Sequence, residues 1–94
     1  MKRRLWVVAY DIADPRRLQR VAHASESFGI RVQESIFEAA LSPWEREQCI
    51  QTLRELCLMH EDSLKLYPVC EACRHRIEWQ GKGEAPGGAR YWVV

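Results

Sequence analysis

The sequence has no long apolar run. Nothing in its 94 residues approaches the roughly 20 consecutive apolar positions that a membrane-spanning helix needs. The opening MKRRLWVVAY places basic residues before an apolar stretch, as a secretion signal does. That stretch, Leu5 to Ala9, is too short and runs directly into Tyr10 and Asp11 with no small-residue cleavage site, so the reading is cytoplasmic. Phosphate-cradling glycine patterns are also missing: there is no GxxxxGK[ST] and no GxGxxG after a strand, and Gly81, Gly83, Gly87 and Gly88 read as a loop. His23 falls on the polar side of a helix with no Ser or Cys nucleophile in view, which disfavours a hydrolase triad. Net charge is only +1, which by itself names no partner.

What is present describes one small folded domain. Hydrophobic residues make up 47% and charged residues 29%, a balance that excludes a mainly disordered chain, although at this length a single core is just adequate and a dimer interface would help. Leu5 to Ala9 reads as a buried strand. Asp14 is a good N-cap and Pro15 suits the first helical position, where no backbone donor is missed. Leu18, Val21, Ala22, Ser25 and Phe28 recur at helical spacing, and Gly29 can take a left-handed C′ conformation. Asp11 is thereby placed in a strand-to-helix loop.

In GIRVQESIFEAAL, Ile30 and Val32 share one parity while Phe37, Ala39 and Leu41 share the other. One straight strand cannot bury them all on one face, and a bulge or reversal near Glu34 and Ser35, giving two short strands, resolves the conflict. SPWE opens a second helix: Ser42 as N-cap, Pro43 at the first position and Glu45 closing a capping box. Cys49, Ile50, Leu53, Leu56 and Cys57 form its apolar face. Ser63 to Val69 reads as another strand, with Ile77 and Trp79 suggesting a further short one. The order predicts an α+β, ferredoxin-like βαββαβ sandwich, with two helices on one face of an antiparallel sheet, over residues 1–80. Residues 81–94 are a glycine-rich loop and the segment RYWVV. That segment is too apolar to stay free and is expected to pair with a sheet edge, in its own or a neighbouring subunit.

The cysteines argue for packing before chemistry. Cys49 and Cys57 sit on an apolar helix face. Cys70 and Cys73 form CEAC, half of a zinc site with His60 and His75 as conceivable further ligands. A lone CxxC lacks the second ligand pair of a strong match, and a redox CxxC would open a helix whereas this one leaves a strand, so packing is the favoured reading. Charge is distributed unevenly: residues 1–31 carry seven Lys and Arg against three Asp and Glu, and the remainder is net acidic. Arg16, Arg17 and Arg20 project from the first turns of the first helix near Asp11, either as a solvated face or as a polyanion surface.

YDIADPRRLQRVA followed by FGIRVQESIFEAAL resembles the signature of the small CRISPR-associated endonuclease family, the lesser of the two proteins shared by most CRISPR adaptation systems. The matching features are Tyr10 and Asp11 ending the first strand, Arg17, Gly29, Arg31, Val32, Gln33, Ser35, Phe37 and Glu38. The resemblance implies a ferredoxin-like homodimer whose C-terminal segment extends the partner's sheet. It also implies a metal site for Mg²⁺ (or Mn²⁺) formed where two Asp11 carboxylates approach across the interface, making Asp11 the catalytic ligand. Arg17 and Arg31 match family positions and would hold phosphates of duplex DNA or single-stranded RNA. Arg16 and Arg20 join them by neighbouring position, and Phe37 fits either a family role or a core aromatic. Two functions follow from the resemblance: a metal-dependent endonuclease taking part in spacer acquisition with the CRISPR integrase, or a non-catalytic dimeric DNA-binding bridge in that integrase complex.

Overall fold

A computed structural model describes residues 2–78 and residue 80. Strand β1 (Arg4–Asp11) is longer than its apolar run. Asp11 is therefore the last residue of the strand, paired with Ser63, and does not lie in the loop that follows. Asp14 then caps α1 (Pro15–Ser25), its side chain accepting from the Arg17 N–H at 2.9 Å. Val21, Ala22 and Ser25 form the buried stripe of α1, with Leu18 and Phe28 half-buried beside it.

Gly29 serves a different purpose from the one its position suggests. Its backbone is outside the left-handed region, and a Cβ there would collide with the carbonyl oxygen of Glu38 and come within 2.8 Å of the Ala39 Cβ. The glycine is needed because the chain passes hard against a neighbouring strand, and the left-handed cap is not formed. Beyond it the chain makes β2 (Ile30–Gln33), reverses at Glu34 and Ser35, and returns as β3 (Ile36–Leu41), with a register shift between Arg31 and Gln33. The parity conflict in the sequence is resolved as expected.

The Ser42–Glu45 capping box forms in full and starts α2 (Pro43–Leu56). Cys49, Leu53 and the C-cap Cys57 are buried. Strand β4 (Ser63–Val69) completes a four-stranded antiparallel sheet in the order β2-β3-β1-β4. A one-turn helix, α3 (Glu71–Arg74), follows with Cys70 as its N-cap. CEAC thus does open a helix, and Cys70 and Cys73 are both exposed, so neither the helix-free reading nor the packing reading of this pair holds. Ile77 lies outside any strand; Trp79 and the loop and terminal segment at 81–94, with the expected strand exchange, fall outside the described residues.

The sheet has two unlike faces. Val8 and Tyr10 on β1, Phe37, Ala39 and Leu41 on β3, and Leu64 and Leu66 on β4 meet α1 and α2 in the core. Phe37, Leu53, Val8 and Val21 are fully buried, each worth about 1.5–3 kcal/mol in removed apolar surface. Val7, Ala9 and Asp11 have the opposite parity, and across the ladder they align with Glu38, Ile36 and residues of β4 on the face that α1 and α2 do not cover. The molecule is an α+β sandwich of ferredoxin-like type.

Candidate functional site

Register brings the site together at the end of β1. Because β3 runs antiparallel to β1, pairing Ala9 with Ile36, the Glu34–Ser35 reversal lands beside Tyr10 and Asp11. Two hydrogen bonds fix it there: the Tyr10 N–H donates to the Ser35 carbonyl at 2.9 Å, and the Tyr10 hydroxyl donates to the Glu34 carbonyl at 3.1 Å. Tyr10 is itself buried, so its ring anchors in the core while its hydroxyl reaches the turn. Tyr10, Asp11, Ile12, Leu18, Glu34 and Ser35 line a shallow cleft of ≈ 200 Å³, with Asp11 and Glu34 both exposed. Larger cavities exist, including one of ≈ 480 Å³ around Phe28, Trp44 and Thr52, but it shares no residue with this cleft.

Glu34 is a carboxylate that sequence reasoning missed. It lies far from Asp11 in the chain, and only the strand reversal, which the parity conflict did signal, carries it to the same cleft. Asp62 is a second omission, without any sequence signal. Its side chain is fully enclosed and accepts from the Ala13 N–H at 2.9 Å, the Leu58 N–H at 2.8 Å, and Arg17 Nε and Nη2 at 3.0 and 3.2 Å. The Arg17 guanidinium and these backbone donors hold the Asp62 carboxyl well below the usual carboxylate range. Asp62 in turn raises the Arg17 pKa. The same guanidinium also reaches Glu61 at 3.0 Å.

This network fixes the loop that leaves the site. Ala13, two residues after Asp11, is tied to the α2–β4 connection, and the start of α1 is tied there too. Arg17, expected to hold phosphate, instead has its Nε and Nη2 committed to carboxylates, and its side chain is only 18% exposed. Arg16, Arg20 and Arg31 are exposed. Arg31 pairs with Phe37, which pairs with Val8, so it lies two strands across and three residues along from Asp11, about 14 Å by strand spacing and rise. Arg31 also shares the parity of Phe37 and Val8, opposite to that of Asp11. Phe37 is fully buried, its ring centroid 6.3 Å from that of Tyr10. It is a core aromatic.

The donor set fits a hard cation. Asp11 and Glu34 offer carboxylate oxygens at an open cleft, the ligand type that Mg²⁺ or Mn²⁺ prefers. Among the described residues, no group of three or more His, Cys, Asp or Glu side chains is placed to hold a metal. Carboxylates from one chain would have to be supplemented by water, phosphate oxygens or a second copy.

The fold is a ferredoxin-like sandwich with an exposed aspartate at the end of its first strand. Residues 4–77 match the family model described as CRISPR associated protein Cas2, and the chain belongs to that family. It is 43% identical to a CRISPR-associated endoribonuclease Cas2 of Synechocystis over 65 residues, covering 69% of this chain and 71% of that one. It is 37% identical to a CRISPR-associated endonuclease Cas2 of Thermus thermophilus over 86 residues, covering 92% and 91% of the two chains. Among solved structures, a hypothetical protein from Thermus thermophilus superposes with TM-score 0.79 at 37% identity, covering 89% of this chain and 98% of that one. Streptococcus pyogenes Cas2 superposes with TM-score 0.73 at 29% identity, covering 82% and 99%. The first two of these relatives are named as CRISPR-associated nucleases.

Proposed function

We propose that the protein is a metal-dependent endonuclease of nucleic acid, acting as a homodimer in spacer acquisition. The observation that carries this reading is the exposed Asp11 carboxylate at the mouth of a cleft it shares with Glu34. A bound Mg²⁺ or Mn²⁺ would polarise a phosphodiester and lower the pKa of a coordinated water. Asp11, and its counterpart in a second copy, would hold that ion as ligands without shuttling protons. Tyr10 keeps the Glu34 turn against the end of β1, and the Asp62 network keeps the outgoing loop in place, so Asp11 is presented on rigid backbone. Arg16, Arg20 and Arg31 would hold flanking phosphates, contacts that set register without reading sequence.

Dimerisation is supported by the sheet face that α1 and α2 leave uncovered. Val7, Ala9 and Ile36 lie on it as a half-buried apolar strip, in the same parity as Asp11. Two copies meeting by this face would bury the strip and bring the Asp11 carboxylates towards each other.

One observation favours a second reading, a non-catalytic bridge that holds duplex DNA between CRISPR integrase subunits. Among the described residues a single chain assembles no metal cluster, whereas its exposed arginines suffice for backbone contact. Cleavage of labelled RNA and duplex DNA, with metal and with chelator, separates the two. Metal-dependent cleavage establishes the nuclease; tight duplex binding in the presence of the integrase, without cleavage under any metal condition, establishes the bridge.

A further inference from the structure

The pair Cys70 and Cys73 has no part in the site above. Cys70 directly follows Val69, the last residue of β4 to pair with β1, and caps the single turn of α3. The cap is made by sulfur: the Cys73 N–H donates to the Cys70 Sγ at 3.3 Å. The i, i+3 spacing across this turn places the two cysteines at the start of the same single turn, and both residues are exposed. Cys49 and Cys57, by contrast, are enclosed in the core.

We propose that Cys70 and Cys73 form a thiol–disulfide exchange site, with Cys70 as the attacking sulfur and Cys73 as the resolving one. The co-reactant is a small disulfide such as glutathione disulfide. The Cys70 thiolate attacks one of its sulfurs, forming a protein–glutathione mixed disulfide and releasing one glutathione thiolate. Cys73 then gives up its proton and attacks the Cys70 sulfur, closing the internal disulfide and releasing the second glutathione. Two protein thiols are oxidised and one glutathione disulfide is reduced to two thiols. The reverse reaction with excess glutathione restores the dithiol.

The asymmetry between the sulfurs assigns the roles. The backbone N–H of Cys73, then its thiol, stabilises the Cys70 thiolate and lowers its pKa. The hydrogen bond and the charge of Cys70 raise that of Cys73. Burial pushes the Cys49 thiol up to about 11 and also raises that of Cys57, so both serve as internal controls. Both reactive sulfurs lie beyond Val69, the end of the β1–β4 ladder.

The test is incubation of the full chain with glutathione disulfide, followed by alkylation and mass spectrometry of each cysteine. The wild type is expected to form the Cys70–Cys73 disulfide without retained glutathione, and Cys73→Ser to accumulate the mixed disulfide at Cys70. Cys70→Ser is expected to lose exchange at position 73 by at least tenfold in rate. Equal trapping in both variants, or modification of Cys49 or Cys57 at a comparable rate in folded protein, would overturn the assignment. Zn²⁺ alone protecting both thiols from alkylation, while glutathione disulfide leaves them unoxidised, would overturn it in favour of half a metal site.

Discussion

Replacing Phe37 by alanine separates what the family resemblance suggests from what packing dictates. Phe37 is fully buried in the layer between the sheet and the two long helices, against Tyr10. Truncating such a side chain removes its transfer free energy and leaves a cavity the surroundings only partly refill, a cost of about 3–5 kcal/mol. Loss of the tilted aromatic pair with Tyr10 accounts for about 0.5–1.5 kcal/mol of that interaction energy. Against a total stability of about 5–15 kcal/mol, the variant would be marginal. With a urea slope of about 1.5 kcal/mol per molar, the midpoint should fall by about 2–3 M. Urea titrations of wild type, Phe37→Ala and Phe37→Leu at one fixed protein concentration measure this, since a dimer's stability depends on concentration. Phe37→Leu should recover most of the loss, and cleavage and duplex binding should follow the folded fraction. A Phe37→Ala protein of nearly wild-type stability that had lost nucleic-acid binding would refute the packing argument and return Phe37 to the site.

The other predictions rest on equally specific contacts. Gly29→Ala forces a Cβ into the Glu38 carbonyl and should cost about 1–3 kcal/mol as overpacking, lowering the melting temperature by about 4–8 °C per kcal/mol; an unchanged melt would mean the segment is free to move away from β3. Asp62 has a folded pKa below its unfolded value, so its stabilisation is present above the unfolded pKa, about 3.9, and is lost as pH falls through the folded pKa. Asp62→Asn should therefore unfold more readily at neutral pH and show a flatter stability profile below about pH 4; a profile parallel to wild type would exclude the linkage. Replacing Arg16, Arg20 and Arg31 by alanine should weaken duplex binding and reduce the slope of log affinity against log salt. Arg17→Ala should lower stability with little change in that slope, and a slope reduction equal to that of an exposed arginine would show that Arg17 leaves Asp62 to reach phosphate.

Local chemistry accounts for what was legible beforehand. Asp14, Ser42, Pro43 and Glu45 encode the starts of both long helices through side-chain caps that act within a few residues. The clash of parity between Val32 and Phe37 required a reversal wherever the strands paired, and it falls at Glu34 and Ser35. Interactions between distant segments were not legible. Asp62 reaches Ala13 and Arg17 only because β4 aligns beside β1, and no spacing rule anticipates that. Arg17 carried the right motif position while its partner stayed hidden. Gly29 was correctly marked as special, but steric proximity to β3 and backbone handedness both select glycine, and a sequence does not distinguish them. CEAC was misread because a one-turn helix has too few residues to show periodicity.

The central claim is that Asp11 holds the catalytic metal, and Asp11→Asn tests it most directly. The substitution keeps side-chain size at an exposed strand end, while an amide is a poorer ligand than a carboxylate for a hard cation. Cleavage of labelled RNA and duplex DNA should be measured across a Mg²⁺ and Mn²⁺ titration, alongside sedimentation to establish assembly state and a thermal melt. The account predicts an unchanged fold and assembly state, with metal-dependent cleavage lost at every metal concentration. Cleavage by Asp11→Asn equal to that of wild type, with the same metal dependence, would contradict it.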